Sequence, residues 1–309
     1  MRILSLSTTA RRSVTAAVVG AVLAAGAVTE TAVAAEAPHQ EAERTATVVE
    51  AATGTEDVAP PGTPTAGINV TTPATAGGSL TASTEVGGTL SLGLPARSDV
   101  PAFEAGVGTV VYPNASPSTD LAVQATKDGG ARALVVLKDA EASTTQRFTL
   151  GLPSDASLIE NGSGGFDITR ETAEGVHTTI GTLDAPWAKD AHGKPVPTRY
   201  NLDGDHVVQT VDVDEDTAFP VVADPKFTWG IVTGTAYFKK SETKKVAQNG
   251  ALTAMAAWAL PPGLNAYVTM HSAAITATAA KAHSAKKCLK IKFAAGLFVP
   301  GQYSGGYCK

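Results

Sequence analysis

Short runs of β-branched and aliphatic residues, separated by Gly, Pro, Asn and Asp, fill the chain from about residue 79 to residue 225. The runs start roughly a dozen residues apart and show no helical period, a spacing typical of antiparallel β-sandwiches and barrels. In the clearest run, Val207, Val211 and Val213 share one face with Gln209. We predict a mainly β fold, an antiparallel β-sandwich over residues 79–225, with strands at 89–94, 108–112, 121–126, 131–137, 147–152, 166–169, 177–183, 198–202, 207–213 and 219–222.

The pattern changes after Pro225, where an alanine-rich stretch is interrupted by Pro261-Pro262-Gly263. Two consecutive prolines end a helix, so a helix is expected on each side of them. Alternating residues before and after this pair of helices indicate strands. We predict a small α/β domain built on a helical hairpin over residues 226–309, with a strand-like run within 226–238, a first helix capped by Ser241 or Thr243 and running to Leu260, a second helix from about Leu264 to Lys286, and a strand at 289–293.

The first 35 residues have the layout of a secretion signal. Arg2, Arg11 and Arg12 make a positively charged start, residues 13–28 are uncharged and apolar, and Ala32-Val33-Ala34 is a small-x-small cleavage site. The apolar stretch is shorter than the roughly 20 residues that a membrane-spanning helix needs. We predict that residues 1–35 are a signal peptide and that the protein is secreted.

Residues 36–78 are rich in Glu, Thr, Ala, Pro and Gly and contain almost no large apolar side chain. Such a segment buries too little surface to offset the entropy lost when it becomes ordered. We predict a disordered linker here, with residues 68–72 as an additional edge strand.

The chain has two cysteines, Cys288 and Cys308. An even number of cysteines in an exported chain favours a disulfide, and closing a loop of this length stabilises a fold by roughly 3 kcal/mol. A zinc site would need a nearby pair of His ligands, and a redox pair is normally much closer in sequence. We predict the disulfide Cys288–Cys308.

Four stretches of the β region occur in an order that is similar to a known type of module. They are Val110-Val111-Tyr112-Pro113, Thr119-Asp120-Leu121, the segment from Ala185-Pro186-Trp187 to Asp190-Ala191-His192-Gly193, and Phe219-Pro220-Val221-Val222-Ala223-Asp224-Pro225. The region resembles a β-sandwich module of large exported actinobacterial proteins, where it often precedes RHS/YD-type repeats. No such repeat follows here, so the resemblance implies an extracellular β module and no activity.

The net charge of −5 conceals two opposite parts. Residues 36–225 carry −17, whereas residues 226–309 carry +10, with eleven Lys, no Arg and one acid, Glu242. The 35 residues from Val246 to Ala280, which separate the two groups of lysines, contain no charged side chain. From this pattern we predict a surface-binding set made of Lys239, Lys240, Lys244, Lys245, Lys281, Lys286, Lys287, Lys290, Lys292, Trp258 and Tyr267.

Three interpretations of the cationic tail compete. In the first, the alanine-rich hairpin is simply the core of a small domain and the lysines solvate its ends. In the second, the lysines bind an anionic cell-wall polymer or lipid surface, with Trp258, Tyr267 and Met270 supplying apolar contact. Nucleic-acid binding is disfavoured, because there is no Arg for bidentate base recognition and export argues against it.

The sequence contains no motif of a known catalytic, phosphate-binding or dinucleotide-binding type, and no cofactor is predicted. The six histidines show no ligand or triad spacing; His192 is interpreted as an exposed turn residue and His271 as a partnered core or groove residue. Acidic residues between 203 and 216 suggest Ca²⁺, but they lack the spacing of an EF-hand loop, so no metal site is predicted.

These patterns together predict an exported, non-enzymatic protein that binds the cell surface or wall through its cationic C-terminal domain. The alternative is a membrane-active, bacteriocin-like toxin module, held with the acidic β region as a pro-region that masks it. The ligand and the oligomeric state are left open.

Overall fold

The computed structural model describes residues 37–65, 67–84, 88–229, 233–255, 264–294 and 297–309. The predicted signal peptide, residues 1–35, and Trp258 lie outside these described residues. Residues 42–309 form one compact unit. The helices among the described residues are α1 (37–53), α2 (Lys240–Asn249), α3 (Ala251–Met255) and α4 (Leu264–Ser284).

Two antiparallel sheets make up most of this unit, which confirms the prediction of a mainly β fold with a sandwich architecture. The smaller sheet has the strand order β1-β2-β3-β8-β14-β13, in which β1 is Ile68–Thr71, β2 Ser79–Thr84, β3 Thr89–Gly93, β8 Thr145–Gly151, β13 Thr198–Asp203 and β14 His206–Val211. In β14, Val207, Gln209 and Val211 are buried and their neighbours are partly exposed, as the alternation predicts.

The larger sheet has 13 strands and the central order β19-β18-β17-β11-β16-β7-β6-β5-β4. Strands β9 and β10 extend it beside β11, and β12 and β15 extend it beside β7. Its strands are β4 Phe103–Ala105, β5 Thr109–Ser116, β6 Thr119–Ala125, β7 Gly130–Leu137, β9 Ala156–Glu160, β10 Phe166–Ala173, β11 Val176–Leu183, β12 Ala188–Lys189, β15 Val221–Ala223, β16 Lys226–Trp229, β17 Thr233–Phe238, β18 Cys288–Ala294 and β19 Leu297–Tyr303.

The main core lies between the two sheets. Leu80, Leu92 and Phe148 from the smaller sheet and Tyr112 and Leu121 from the larger one belong to a single buried cluster. The side chains that alternate with them on β5 to β7 face the other way and form a second cluster with α1. The larger sheet is therefore covered on both faces along these strands.

The structure differs from the prediction of a disordered linker over residues 36–78. Helix α1 packs Ala42, Ala46 and Val49 against the sheet, and all three are buried. Small side chains let a helix lie close to a sheet, so burial here does not require the large apolar residues whose absence suggested disorder. Strand β1, at Ile68–Thr71, agrees with the expected edge strand.

The change of charge at Pro225 does not coincide with a break in the sheet. Pro225 lies between β15 and β16, and both of these strands pair with β7. Strand β17 then pairs with β11, and β18 and β19 continue the same sheet. The cationic segment is thus built onto the larger sheet.

The helical segment also differs in detail from the prediction. The N-cap of α2 is Lys239, whose side chain makes no capping hydrogen bond. The two predicted caps, Ser241 and Thr243, lie within the helix. Helix α2 ends at Asn249 because Gly250 has a positive φ of 81°. Helix α4 ends at Ser284, and the backbone at His271 departs from helical geometry.

Candidate functional site

Helices α2 and α4 run antiparallel and bring two groups of lysines to one end of the helical pair. The Ala251 N–H donates to Thr276 Oγ1 at 2.9 Å, and the Leu289 N–H donates to Thr243 Oγ1 at 2.9 Å. These contacts place the start of α2 beside the end of α4. We call the resulting surface the lysine end; it comprises Lys239, Lys240, Lys244, Lys245, Lys281, Lys286 and Lys287.

Two of these seven lysines are paired with carboxylates. Lys245 Nζ lies 2.8 Å from Glu242 Oε1, and this hydrogen bond raises the pKa of Lys245. Lys239 Nζ lies 3.4 Å from Glu171 Oε1. The other five are exposed and form no ion pair with another described residue: Lys240, Lys244, Lys281, Lys286 and Lys287.

A tight turn between β10 and β11 fixes the start of α2. Gly175 in this turn has a φ of 74°, and its carbonyl accepts a hydrogen bond from the Lys239 N–H at 2.9 Å. A Cβ at Gly175 would lie 2.6 Å from Cγ of the buried Glu242 side chain. The lysine end is thus anchored to the sheet by a position that only glycine fits.

Lys290 and Lys292 lie elsewhere, on the face of the sheet that the helices leave uncovered. Lys290 is opposite Tyr237, and Lys292 is opposite Thr235. The residues that alternate with these two lysines, Leu289 and Ile291, belong to the core beneath the helices. The nine predicted lysines therefore form a group of seven and a separate pair.

The predicted apolar contacts are only partly accessible. Tyr267 is half-buried and stacks on His271 and on Phe298, with ring centroids 4.3 and 5.0 Å apart. Met270 is 73% exposed. His271, expected in a core or groove, is an exposed residue whose ring packs on Tyr267 and whose Nδ1 lies 3.2 Å from the Tyr267 carbonyl oxygen.

The predicted disulfide Cys288–Cys308 is confirmed, with a Cα–Cα distance of 5.6 Å. Cys288 and Cys308 are buried beside Ile159, Tyr237 and Tyr303. The disulfide holds the C-terminal loop on the sheet face that carries Lys290.

The acidic residues considered for metal binding and His192, considered for catalysis, lie at the surface. Asp212 and Asp203 pair with Arg199 and Arg147, and Asp214 accepts hydrogen bonds within its own turn. Exposed His192 follows Asp190, whose carboxylate accepts its backbone N–H. Among the described residues no group of three or more His, Cys, Asp or Glu side chains is arranged to hold a metal ion.

Asp224, in the last of the four module-like stretches, is fully buried. Its two carboxylate oxygens accept the backbone N–H groups of Trp187 at 2.9 Å and Lys226 at 3.1 Å. Burial nevertheless raises the pKa of Asp224 to about 7. Because these bonds join β16 to the segment that carries Trp187, Asp224 has a structural role between neighbouring segments.

The raised pKa of Asp224 predicts how stability changes with pH. The native state holds this proton up to about pH 7, whereas the unfolded chain releases it near pH 3.8, so the contribution of Asp224 to the free energy of unfolding falls as pH rises between these values. Denaturant unfolding of the parent protein and of Asp224→Asn is measured between these two pH values. The difference between their free energies of unfolding gives the contribution of Asp224. A parallel pH dependence in the two proteins would contradict the prediction.

Comparisons with protein-family models, with curated proteins and with solved structures each found no significant match. Within the described part of the chain, no helix is long and apolar enough to cross a membrane.

Proposed function

We propose that this protein is secreted and binds an anionic polymer of the cell surface through the lysine end, without catalysis. The observation that carries the proposal is the set of five exposed lysines gathered at one end of α2 and α4, none of which is paired with a carboxylate of the residues that the structure describes. A rigid surface of this kind presents several ammonium groups at once to a chain of repeated phosphates or carboxylates.

The magnitude of the attraction is sufficient for such a role. Each Lys near an anionic surface contributes about 1 kcal/mol, and the contribution falls off over a Debye length. Five exposed lysines are therefore enough for binding that depends strongly on salt. The N-terminal signal pattern and the disulfide Cys288–Cys308 support a location outside the cell, since disulfides persist in oxidising compartments.

The position of the apolar side chains favours a polymer over the interior of a membrane. Val246, Val268 and Ile275 of the helical pair are buried against the sheet, with Leu289 and Ile291 of β18. Insertion of the helices into lipid would require this core to open first. The toxin-like alternative therefore requires a conformational change that polymer binding does not.

The proposal is tested with the double variant Lys240→Gln/Lys244→Gln. We expect its affinity for a poly(glycerol phosphate) chain to fall roughly tenfold to thirtyfold at low salt, because two exposed charges are removed. The matched control, Lys194→Gln/Lys292→Gln, removes two exposed lysines outside the lysine end and should bind like the parent protein. Affinity is measured by isothermal titration calorimetry at low and at high salt.

Equal weakening of both variants would mean that net charge, and not the lysine end, determines binding. Absence of binding by the parent protein at low salt would also overturn the proposal. Leakage of dye from phosphatidylglycerol vesicles, with no binding to the polymer, would favour the toxin-like alternative.

A further inference from the structure

A cavity of about 520 Å³ lies on the sheet face that the helices leave uncovered. Six parts of the chain line it: β9 with the turn after it, the start of β10, the tip of β13, β17, β18, and the end of β19 with the C-terminal loop after it. The disulfide Cys288–Cys308 holds that last wall in place. A volume of this size is within the usual range for sites that bind small organic molecules.

Most of the cavity wall is apolar or aromatic. Leu158, Ile159 and Phe166 line it together with the rings of Tyr237 and Tyr303. These two rings meet edge to face, with centroids 5.0 Å apart.

The hydroxyl groups of both tyrosines are used within the protein. The Tyr237 hydroxyl donates to Asp167 Oδ2 at 2.8 Å, and the Tyr303 hydroxyl donates to the Phe238 carbonyl at 3.0 Å. Tyr237 and Tyr303 are 4% and 8% exposed, so they form the base of the cavity. The part they offer to a ligand is ring surface, which suits an apolar body.

One cation lines the same cavity. Lys290 is half-buried and forms no ion pair with another described residue. The nearby buried carboxylate of Asp167 already accepts hydrogen bonds from Thr179 and Tyr237. Burial and the neighbouring Lys292 lower the pKa of Lys290, so an anion bound there would relieve an unfavourable environment.

Glu160 limits the charge that a ligand can carry. It also lines the cavity, where it is exposed and has no ion pair with another described residue. A carboxylate at the wall disfavours ligands with several negative charges, whereas a single negative group can contact Lys290.

We propose that this cavity binds a small organic monoanion, with its aromatic or aliphatic body against the tyrosine rings and its anionic group on Lys290. The site is separate from the lysine end, and the proposal does not depend on polymer binding. It adds a second ligand of a different chemical class to the same protein.

The test is a titration of the isotope-labelled protein with three probes, followed by backbone amide chemical shifts. Phenylacetate has a ring and a carboxylate, 2-phenylethanol has the ring without the charge, and acetate has the charge without the ring. We expect saturable shifts with phenylacetate at residues 158–162, 290 and 303–306. Binding of 2-phenylethanol should be about tenfold weaker, and acetate should not saturate, because the charged contact and the apolar contact are both required.

Lys290→Ala should weaken phenylacetate binding about tenfold, to the level of 2-phenylethanol. Lys292→Ala is the matched control, since Lys292 lies on the same face but does not line the cavity; it should keep full affinity. Lys240→Gln/Lys244→Gln should also keep it, which separates this site from the lysine end. Unchanged shifts outside the cavity show that each variant is folded.

Three results would overturn the proposal: shifts that appear elsewhere in the parent protein, no saturable shift with phenylacetate, or equal loss in Lys290→Ala and Lys292→Ala. If Lys290→Ala does not fold, the comparison of phenylacetate with 2-phenylethanol on the parent protein decides the role of the charge.

Discussion

Replacing Asp120 by alanine is expected to lower the free energy of unfolding by roughly 3–5 kcal/mol, because it removes the centre of a buried polar network. The Asp120 side chain is completely inaccessible to solvent. Oδ2 accepts a hydrogen bond from Thr45 Oγ1 at 2.6 Å, and Oδ1 accepts one from the Asn114 N–H at 2.7 Å. Lys138 Nζ lies 3.0 Å from Oδ1.

Asp120 connects three parts of the structure. Thr45 belongs to α1, Asn114 lies at an irregularity in the pairing of β5 with β6, and Lys138 follows β7. Asn114 has a φ of 56°, a left-handed conformation that Asn adopts more readily than most residues other than glycine, and its N–H is held here by the carboxylate. Loss of Asp120 should therefore loosen α1 and the irregular part of β5 around Asn114 as well as lower global stability.

Urea unfolding measures the global effect, and limited proteolysis within residues 42–53 measures the release of α1. Thr45→Val removes only the hydrogen bond from the helix, so it should affect proteolysis of α1 more than it affects the structure around Asn114. Asp216→Ala is the control, since Asp216 is an exposed carboxylate, and its free energy of unfolding should stay near that of the parent protein. Similar losses for Asp120→Ala and Asp216→Ala would contradict the role assigned to Asp120.

Helix α1 shows why part of the fold could not be predicted from the sequence. The sequence signal for this helix is the helical spacing of Ala42, Ala46 and Val49. Their side chains are buried but too small for hydrophobicity alone to indicate a buried helix face. Their burial depends on glycine in the partner: a Cβ at Gly106 would lie 3.1 Å from Cβ of Ala46. The strands of the β region, in contrast, carry larger apolar side chains and turn residues that mark them individually.

The cavity likewise could be predicted from the sequence only in part. Alternation in Leu289-Lys290-Ile291-Lys292-Phe293 predicts a strand and so places both lysines on one face. It does not predict Tyr237 and Ile159 as neighbours of Lys290, because strand pairing between distant segments brings them together. The lysine end was easier to anticipate, since its lysines flank a charge-free hairpin whose antiparallel helices bring them to one end.

Removing the disulfide with Cys288→Ser/Cys308→Ser is expected to lower the free energy of unfolding by about 3 kcal/mol. Besides the disulfide, Cys308 packs in a buried cluster with Ile159, Tyr237 and Tyr303. Tyr307 lies flat on His177, with ring centroids 3.5 Å apart, and its hydroxyl lies 2.8 Å from Thr169 Oγ1. Without the covalent link, noncovalent contacts of this kind must hold residues 304–309 against the entropy of a free chain end.

His177 reports directly whether the C-terminal loop has detached. Its pKa is below the usual value, chiefly because the side chain is buried. Release of Tyr307 exposes the imidazole, so in the double variant the pKa of His177 should rise towards its usual value, and an NMR titration of its ring protons measures this change. Tyr307→Phe is the control: it keeps the ring stack and the disulfide, so the pKa should stay low.

The detached loop also removes one wall of the cavity, so phenylacetate should lose affinity in the double variant. An unchanged pKa of His177 together with lower stability would show that the loop stays in place, and that the disulfide acts only by restricting the unfolded chain.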